Sequence, residues 1–161
     1  MATRPLSGAG SIVVAAPADR VLAALLDPAV LQALIPGAQT VEQLGRGRFC
    51  AVLSFGVGNL RSRNTVELQA DGLDGPGAVT LSGHATGAHG AGQATGQVAL
   101  DERRPGRTSI AWSYAGEVSG RWVHAGGPLL RFSANMFVGR FFRALAKLAA
   151  EAASAATHPP S

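Results

Sequence analysis

The spacing of hydrophobic positions changes twice along the chain. Ser11–Ala16 is a short β-branched run that predicts a strand. Pro17 suits a first helical position, Asp19 suits a first turn, and Val21, Leu22, Leu25 and Leu26 recur at helical spacing, which predicts a short amphipathic helix over 18–26. Asp27–Pro28 stops that helix, and Asp27 can cap a second one whose apolar face is Val30, Leu31, Leu34 and Ile35. Pro36–Gly37 ends it.

From Gly37 to Ser119 the period becomes two. Phe49, Ala51, Leu53, Phe55 and Val57 alternate with Cys50, Val52, Ser54 and Gly56, and similar runs surround Val66 and Leu68, Val79 and Leu81, and Ile110, Trp112, Tyr114 and Val118. Turn signals separate them at Gly45–Arg46–Gly47, Asp71–Gly72, Gly75–Pro76–Gly77 and Pro105–Gly106. Six closely spaced strands predict an antiparallel meander, because parallel strands need long crossovers. After Gly120 the spacing is helical again. Leu130, Phe137, Phe141, Leu145 and Leu148 form a stripe that Phe132, Met136 and Phe142 widen, with Arg140, Arg143 and Lys147 on the other side. This predicts a helix from about Pro128 to Ala152, and Trp122–Gly127 fits either its first turns or a separate connector.

The predicted class is α+β. A curved antiparallel sheet of about seven strands wraps a long C-terminal helix, and two short helices after the first strand close one end. The domain is expected to span residues 1–153, followed by a flexible tail at 154–161. This arrangement leaves an apolar space between sheet and helix.

Composition narrows the picture. The 161 residues are 47% hydrophobic and 15% charged, enough for one domain with a real core. The lone Cys50 excludes an internal disulfide framework and a Cys-based zinc ribbon. No run approaches the ~20 apolar residues that span a bilayer. The apolar run Ile12–Ala16 is shorter than the core of a secretory signal, so a cytoplasmic location is expected. The whole net charge of +4 falls on residues 118–161, where Arg121, Arg131, Arg140, Arg143 and Lys147 face only Glu151. A basic segment of this kind suits an anionic partner.

Little in the chain suggests chemistry. The stretch Gly87–Gly92 does not match Gly-x-Gly-x-x-Gly, leads into no helix and lacks a P-loop lysine. His84 and His89 have no Cys or carboxylate cluster beside them, and His124 and His158 are distant, so no metal site is expected. The carboxylates fall in turns, on caps or on outward strand positions, and there is no Gly-x-Ser-x-Gly elbow. No catalytic residue is therefore assigned. No aromatic platform lies on the polar side of the strands, which argues against nucleic acid.

The polar handles assigned inward are Tyr114 and Trp112, either of which could donate to a ligand carbonyl. The candidate lining is Leu53, Phe55, Val66, Leu68, Leu81, Trp112 and Tyr114 from the sheet with Phe132 and Met136 from the helix. An ordinary packed core accounts for the same residues. Arg140, Arg143 and Lys147, with Val138, Phe142 and Ala146 within about a turn, form a candidate membrane or partner contact.

The order Val13-x-x-Ala16-Pro17, Asp27–Pro28 and Ile35–Pro36–Gly37, followed by Glu42, resembles the opening of the START-like (SRPBCC, helix-grip) superfamily. Within it, this pattern is most similar to the CoxG family, the G-type subunits of carbon monoxide dehydrogenase. The glycine-rich strands Gly83–Gly96 and the C-terminal helix, with its Gly-x-Leu-Leu-type run followed by Phe141–Phe142, extend the resemblance over roughly residues 10–150. Pro128 in the early final helix departs from the family pattern. The resemblance implies a non-enzymatic accessory protein that needs no cofactor and binds a quinone or lipid. It also implies a peripheral place at the inner membrane face beside a molybdenum-containing carbon monoxide dehydrogenase. The superfamily also includes polyketide cyclases that use the same cavity, and a packed-core assembly factor is a third reading.

Overall fold

A computed structural model describes residues 3–57, 60–72 and 78–157. The strands are β1 (Thr3–Val14), β2 (Ala38–Gly45), β3 (Arg48–Val57), β4 (Leu60–Asp71), β5 (Ala78–Gly87), β6 (Gly90–Arg104) and β7 (Arg107–Ser119). They form one antiparallel sheet in the order β1-β7-β6-β5-β4-β3-β2, a meander whose last strand takes the first as its outer neighbour. Two short helices, α1 (Ala18–Leu25) and α2 (Pro28–Leu34), follow β1, and the long helix α3 (Gly127–Thr157) ends the chain.

Alternation and helical spacing account for most of this architecture, and β1 shows where they fall short. It begins at Thr3, well before the β-branched run, because it pairs with β7 from Thr3 opposite Ser119 to Val14 opposite Thr108. Its glycines are weak strand formers, yet their missing side chains make room for β7. A Cβ on Gly10 would stand 2.4 Å from the Trp112 ring, and one on Gly8 would stand 2.6 Å from the Tyr114 hydroxyl.

Local caps behave as their chemistry dictates. The Asp27 carboxylate accepts from the Ala29 amide at 2.9 Å and starts α2. Pro17 precedes α1 rather than opening it, and has no side chain to cap with. The carboxylate of Glu102, at the end of β6, accepts from the Ala18 amide at 2.7 Å instead. Residues Gly120–Ala125 form a separate 3-10 helix, set off from α3 by Gly126 with φ +93°. Residues 122–126 are thus a connector, and Gly127 already belongs to α3. Helix α3 continues to Thr157, past its expected end near Ala152. The expected turn at Gly75–Pro76–Gly77 and the tail residues 158–161 lie outside the described residues.

The core has three centres. Val14, Val21, Leu25, Val98, Ile110, Phe142 and Leu145 join α1, the β1/β6/β7 end of the sheet and α3. Leu31, Val41, Phe49, Ala51 and Leu53 join α2 to β2 and β3, with Phe137 and Phe141 reaching in from α3. Val57, Trp122 and Leu130 close the far end, where Phe55 stacks on Trp122 at 5.5 Å. The grip is tightest where the Phe142 ring lies on Trp112, 4.3 Å between centroids and 11° from parallel.

Two expectations for α3 are corrected. Phe132 and Met136 are 62% and 44% exposed, on the solvent side with Arg140, Arg143 and Lys147 rather than on the buried stripe. At 100° per residue they stand more than a quarter-turn from the Leu130, Val138 and Leu145 side that meets the sheet. Conversely, Phe142 and Ala146 are buried and cannot flank the basic face as exposed groups.

Candidate functional site

The inner face of the sheet, toward α3, is large and apolar at its ends and small in the middle. Strand parity and register set Ala85 on β5 opposite Gly92 on β6, Gly83 opposite Ala94, and Leu81 opposite Gly96. Gly116 and Tyr114 continue these rows onto β7. All of these positions retain some solvent exposure, and so do Phe137, Val138 and Phe141 on the facing side of α3. Sheet and helix are therefore not sealed together over the middle strands. A cleft with a floor of glycine and alanine runs between two packed ends.

Seven of the expected lining residues face this cleft or its ends. Val66, Leu68 and Leu81 are half-buried and border the small-residue floor. Leu53 is buried in the α2-side core, and Phe55 is held between Trp122 and Phe137, so both act as walls of the packed ends. Trp112 is engaged by Phe142. The Tyr114 hydroxyl donates to Asn135 Oδ1 on α3 at 2.5 Å, and burial pushes its pKa above the ordinary value. Neither polar handle is free in the way the sequence suggests. Phe132 and Met136 do not line the cleft.

The cleft offers little acid–base chemistry. Every described Asp and Glu is exposed, and Cys50 is half-buried on the outward side of β3. Among the described residues no group of three or more His, Cys, Asp or Glu could hold a metal ion. His84 faces outward and pairs with Glu67 at 3.1 Å. That pair sits in a polar groove of about 460 Å³ on the opposite face of the sheet, which Arg48, Gln69, Ser82, Gln93 and Thr95 also line.

Two residues, Asn135 and Asn64, escaped the sequence reading. Asn135 is an exposed position of α3 within reach of Tyr114, and it had no periodic signal. Asn64 is 1% exposed and carries the same parity as Val66 and Leu68, so alternation alone put it inside. Ala94 shares the inward parity of Val98, yet its exposure reports how open the middle of the cleft is. The outer side of α3 presents Leu129, Phe132 and Met136 in one stripe with Arg140, Arg143 and Lys147. No helix among the described residues is long and apolar enough to cross a membrane.

A sheet curved around a C-terminal helix, with a cleft between them, defines a START-like helix-grip protein. Solved structures agree. The chain is similar to a conserved protein from Geobacillus kaustophilus at 24% identity, with 90% of this chain and 95% of that one covered and a TM-score of 0.82. It is similar to the Zhui aromatase/cyclase from Streptomyces sp. R1128 at 19% identity, with 98% and 97% covered and a TM-score of 0.65. A START superfamily protein from Mycobacterium smegmatis matches at 12% identity, with 90% and 97% covered and a TM-score of 0.67. No curated protein matches the sequence. The model of the CoxG family, the G-type subunits of carbon monoxide dehydrogenase, matches residues 10–150, and the chain belongs to that family.

Proposed function

We propose that this chain is a non-catalytic carrier that holds a lipophilic molecule, a quinone or lipid, between the middle strands and α3. The observation that carries this reading is the open small-residue floor beside apolar walls, in a cleft with no described carboxylate. Moving each CH₂ from water into such a space contributes about 0.8 kcal/mol. From a bilayer the gain largely cancels, which suits exchange with a membrane better than storage.

The outer stripe of α3 supports a peripheral membrane contact in the same scheme. Leu129, Phe132 and Met136 supply apolar groups that can enter a lipid interface, and Arg140, Arg143 and Lys147 supply the charge. Three such charges contribute about 3 kcal/mol near an anionic surface, enough for reversible, salt-sensitive docking. The CoxG family name supports a carbon monoxide dehydrogenase-type molybdenum hydroxylase as the protein partner, with a cytoplasmic place at the membrane's inner face.

A cyclase-type reaction is the rival, since an aromatase/cyclase shares the fold. It would need a proton donor or base in the cleft. Tyr114 is the titratable candidate there, and its raised pKa and its bond to Asn135 suit positioning rather than proton transfer.

The test is mass spectrometry of an organic extract of protein purified from a native-like host, with uptake of quinone from liposomes alongside. A stoichiometric quinone or lipid, lost in a folded Ala94→Trp variant that fills the floor, is expected. A clean extract with no uptake would refute the carrier reading.

A further inference from the structure

At the border of the cleft lies one polar atom whose requirement no described residue meets. Asn64 Oδ1 is the buried side-chain N or O atom without a hydrogen-bond partner among the described residues. Its orientation is fixed chemically. The other end of the same amide donates to the Ser62 carbonyl at 3.1 Å and to Ser62 Oγ at 3.0 Å. A carbonyl oxygen can only accept, so the atom facing it must be the NH₂, and a flipped amide is excluded.

The free oxygen is enclosed and lies over Gly87, at one end of the floor. Asn64 lies opposite Gly87 on β5, and a Cβ on Gly87 would stand 2.2 Å from Asn64 Oδ1. The oxygen thus occupies the space above Gly87 that any other residue would fill. From there the inner rows continue over Ala85, Gly92, Gly83 and Ala94, the open part of the cleft. A buried acceptor without a donor is costly, and a ligand that brings a donor recovers that cost on binding.

We infer that the cleft selects a planar apolar molecule carrying a hydroxyl, a phenol or hydroquinone, whose O–H donates to Asn64 Oδ1 while its rings lie on the glycine and alanine floor. This rests on the carrier reading above and sharpens it. If the cargo is a quinone, the reduced form, which owns the O–H, is held in preference to the oxidised form, which brings only acceptors. No electron transfer is required of the protein.

A matched pair of probes tests this. 1-Naphthol and 1-methoxynaphthalene share the ring system, and only the first has a donor. Binding to the full chain is measured by calorimetry, with the Asn64 side-chain amide followed by ¹⁵N NMR. Naphthol is expected to bind at least tenfold more tightly, and only naphthol should move the Asn64 amide signal. Asn64→Leu, shown to be folded by circular dichroism, should lose that preference. If both probes bind wild-type protein equally, the Asn64 assignment is overturned and the hydrophobic cleft survives. If neither binds up to its solubility limit, the carrier reading fails and this inference with it. The comparison on wild-type protein is decisive even if Asn64→Leu does not fold.

Discussion

Phe142→Ala should unfasten the helix from the sheet. The ring is 4% exposed, lies on Trp112 at 4.3 Å and meets Phe141 edge-on at 5.2 Å. Removing a buried Phe side chain typically costs about 3–5 kcal/mol. For a chain of this length each kcal/mol lowers Tm by about 2–4 °C, so a fall of roughly 6–20 °C is expected. Part of that loss belongs to the ring pair itself. A double-mutant cycle with Trp112→Ala should give a coupling of about 0.5–1.5 kcal/mol. Urea unfolding followed by far-UV circular dichroism supplies the free energies, and it does not depend on the tryptophan that the cycle removes. A loss below about 1 kcal/mol with no coupling would mean that the stack does not hold α3 down. The cleft would then have to be bounded in some other way.

Other consequences are equally open to measurement. Thr108→Val removes the buried Thr108 hydroxyl that donates to the Ala16 carbonyl at 2.7 Å, and should cost about 1–3 kcal/mol in denaturant unfolding; an unchanged midpoint would show the carbonyl finds another donor. Glu102→Ala leaves the Ala18 amide uncapped and should cost about 1 kcal/mol or less, given the exposed setting, while Glu102→Gln should retain much of the bond. Tyr114 is the single tyrosine, so titration of ultraviolet absorbance reads it cleanly. Its midpoint should lie above 10.0, since burial disfavours the phenolate. The unfolded chain then ionises first, so this contribution to stability is intact below pH 10 and is lost as pH rises toward the folded value. A midpoint at or below 10 would contradict the burial argument. Charge reversal at Arg140, Arg143 and Lys147 together should weaken co-sedimentation with anionic vesicles by roughly a hundredfold or more, with neutral vesicles unaffected; equal binding before and after would remove the membrane from the scheme.

The parts of the fold that were legible in the chain are those governed by local periodicity. The α1–α2 pair, the meander and the long helix follow from spacing and caps, and Asp27 does what its position foretells. The beginning of β1 was not legible, because Thr3–Gly10 has weak strand propensity and becomes a strand only through its pairing with β7. Phe132 and Met136 were misassigned because α3 is apolar around much of its circumference, so side-chain type could not say which flank meets the sheet. Tyr114 and Trp112 were rightly turned inward by parity. Their partners Asn135 and Phe142 come from the other layer, and no spacing rule links positions so far apart. Asn64 could have been found by carrying the alternation of Val66 and Leu68 back by one step.

The pairing of β1 with β7 also sets the order in which the protein can be made. Of the strands, Thr3–Val14 is translated first, and its partner Thr108–Ser119 is translated last. At about 5–20 residues per second, the ninety-odd residues between Val14 and Thr108 take roughly 5–20 s to synthesise. Throughout that interval the Ile12–Val13–Val14 segment is a β-prone edge with nothing to pair with. Helix α3, which covers the sheet, is translated later still. The nascent chain therefore passes through a stage in which the meander has formed with one face bare, when it is most dependent on chaperones and most exposed to aggregation.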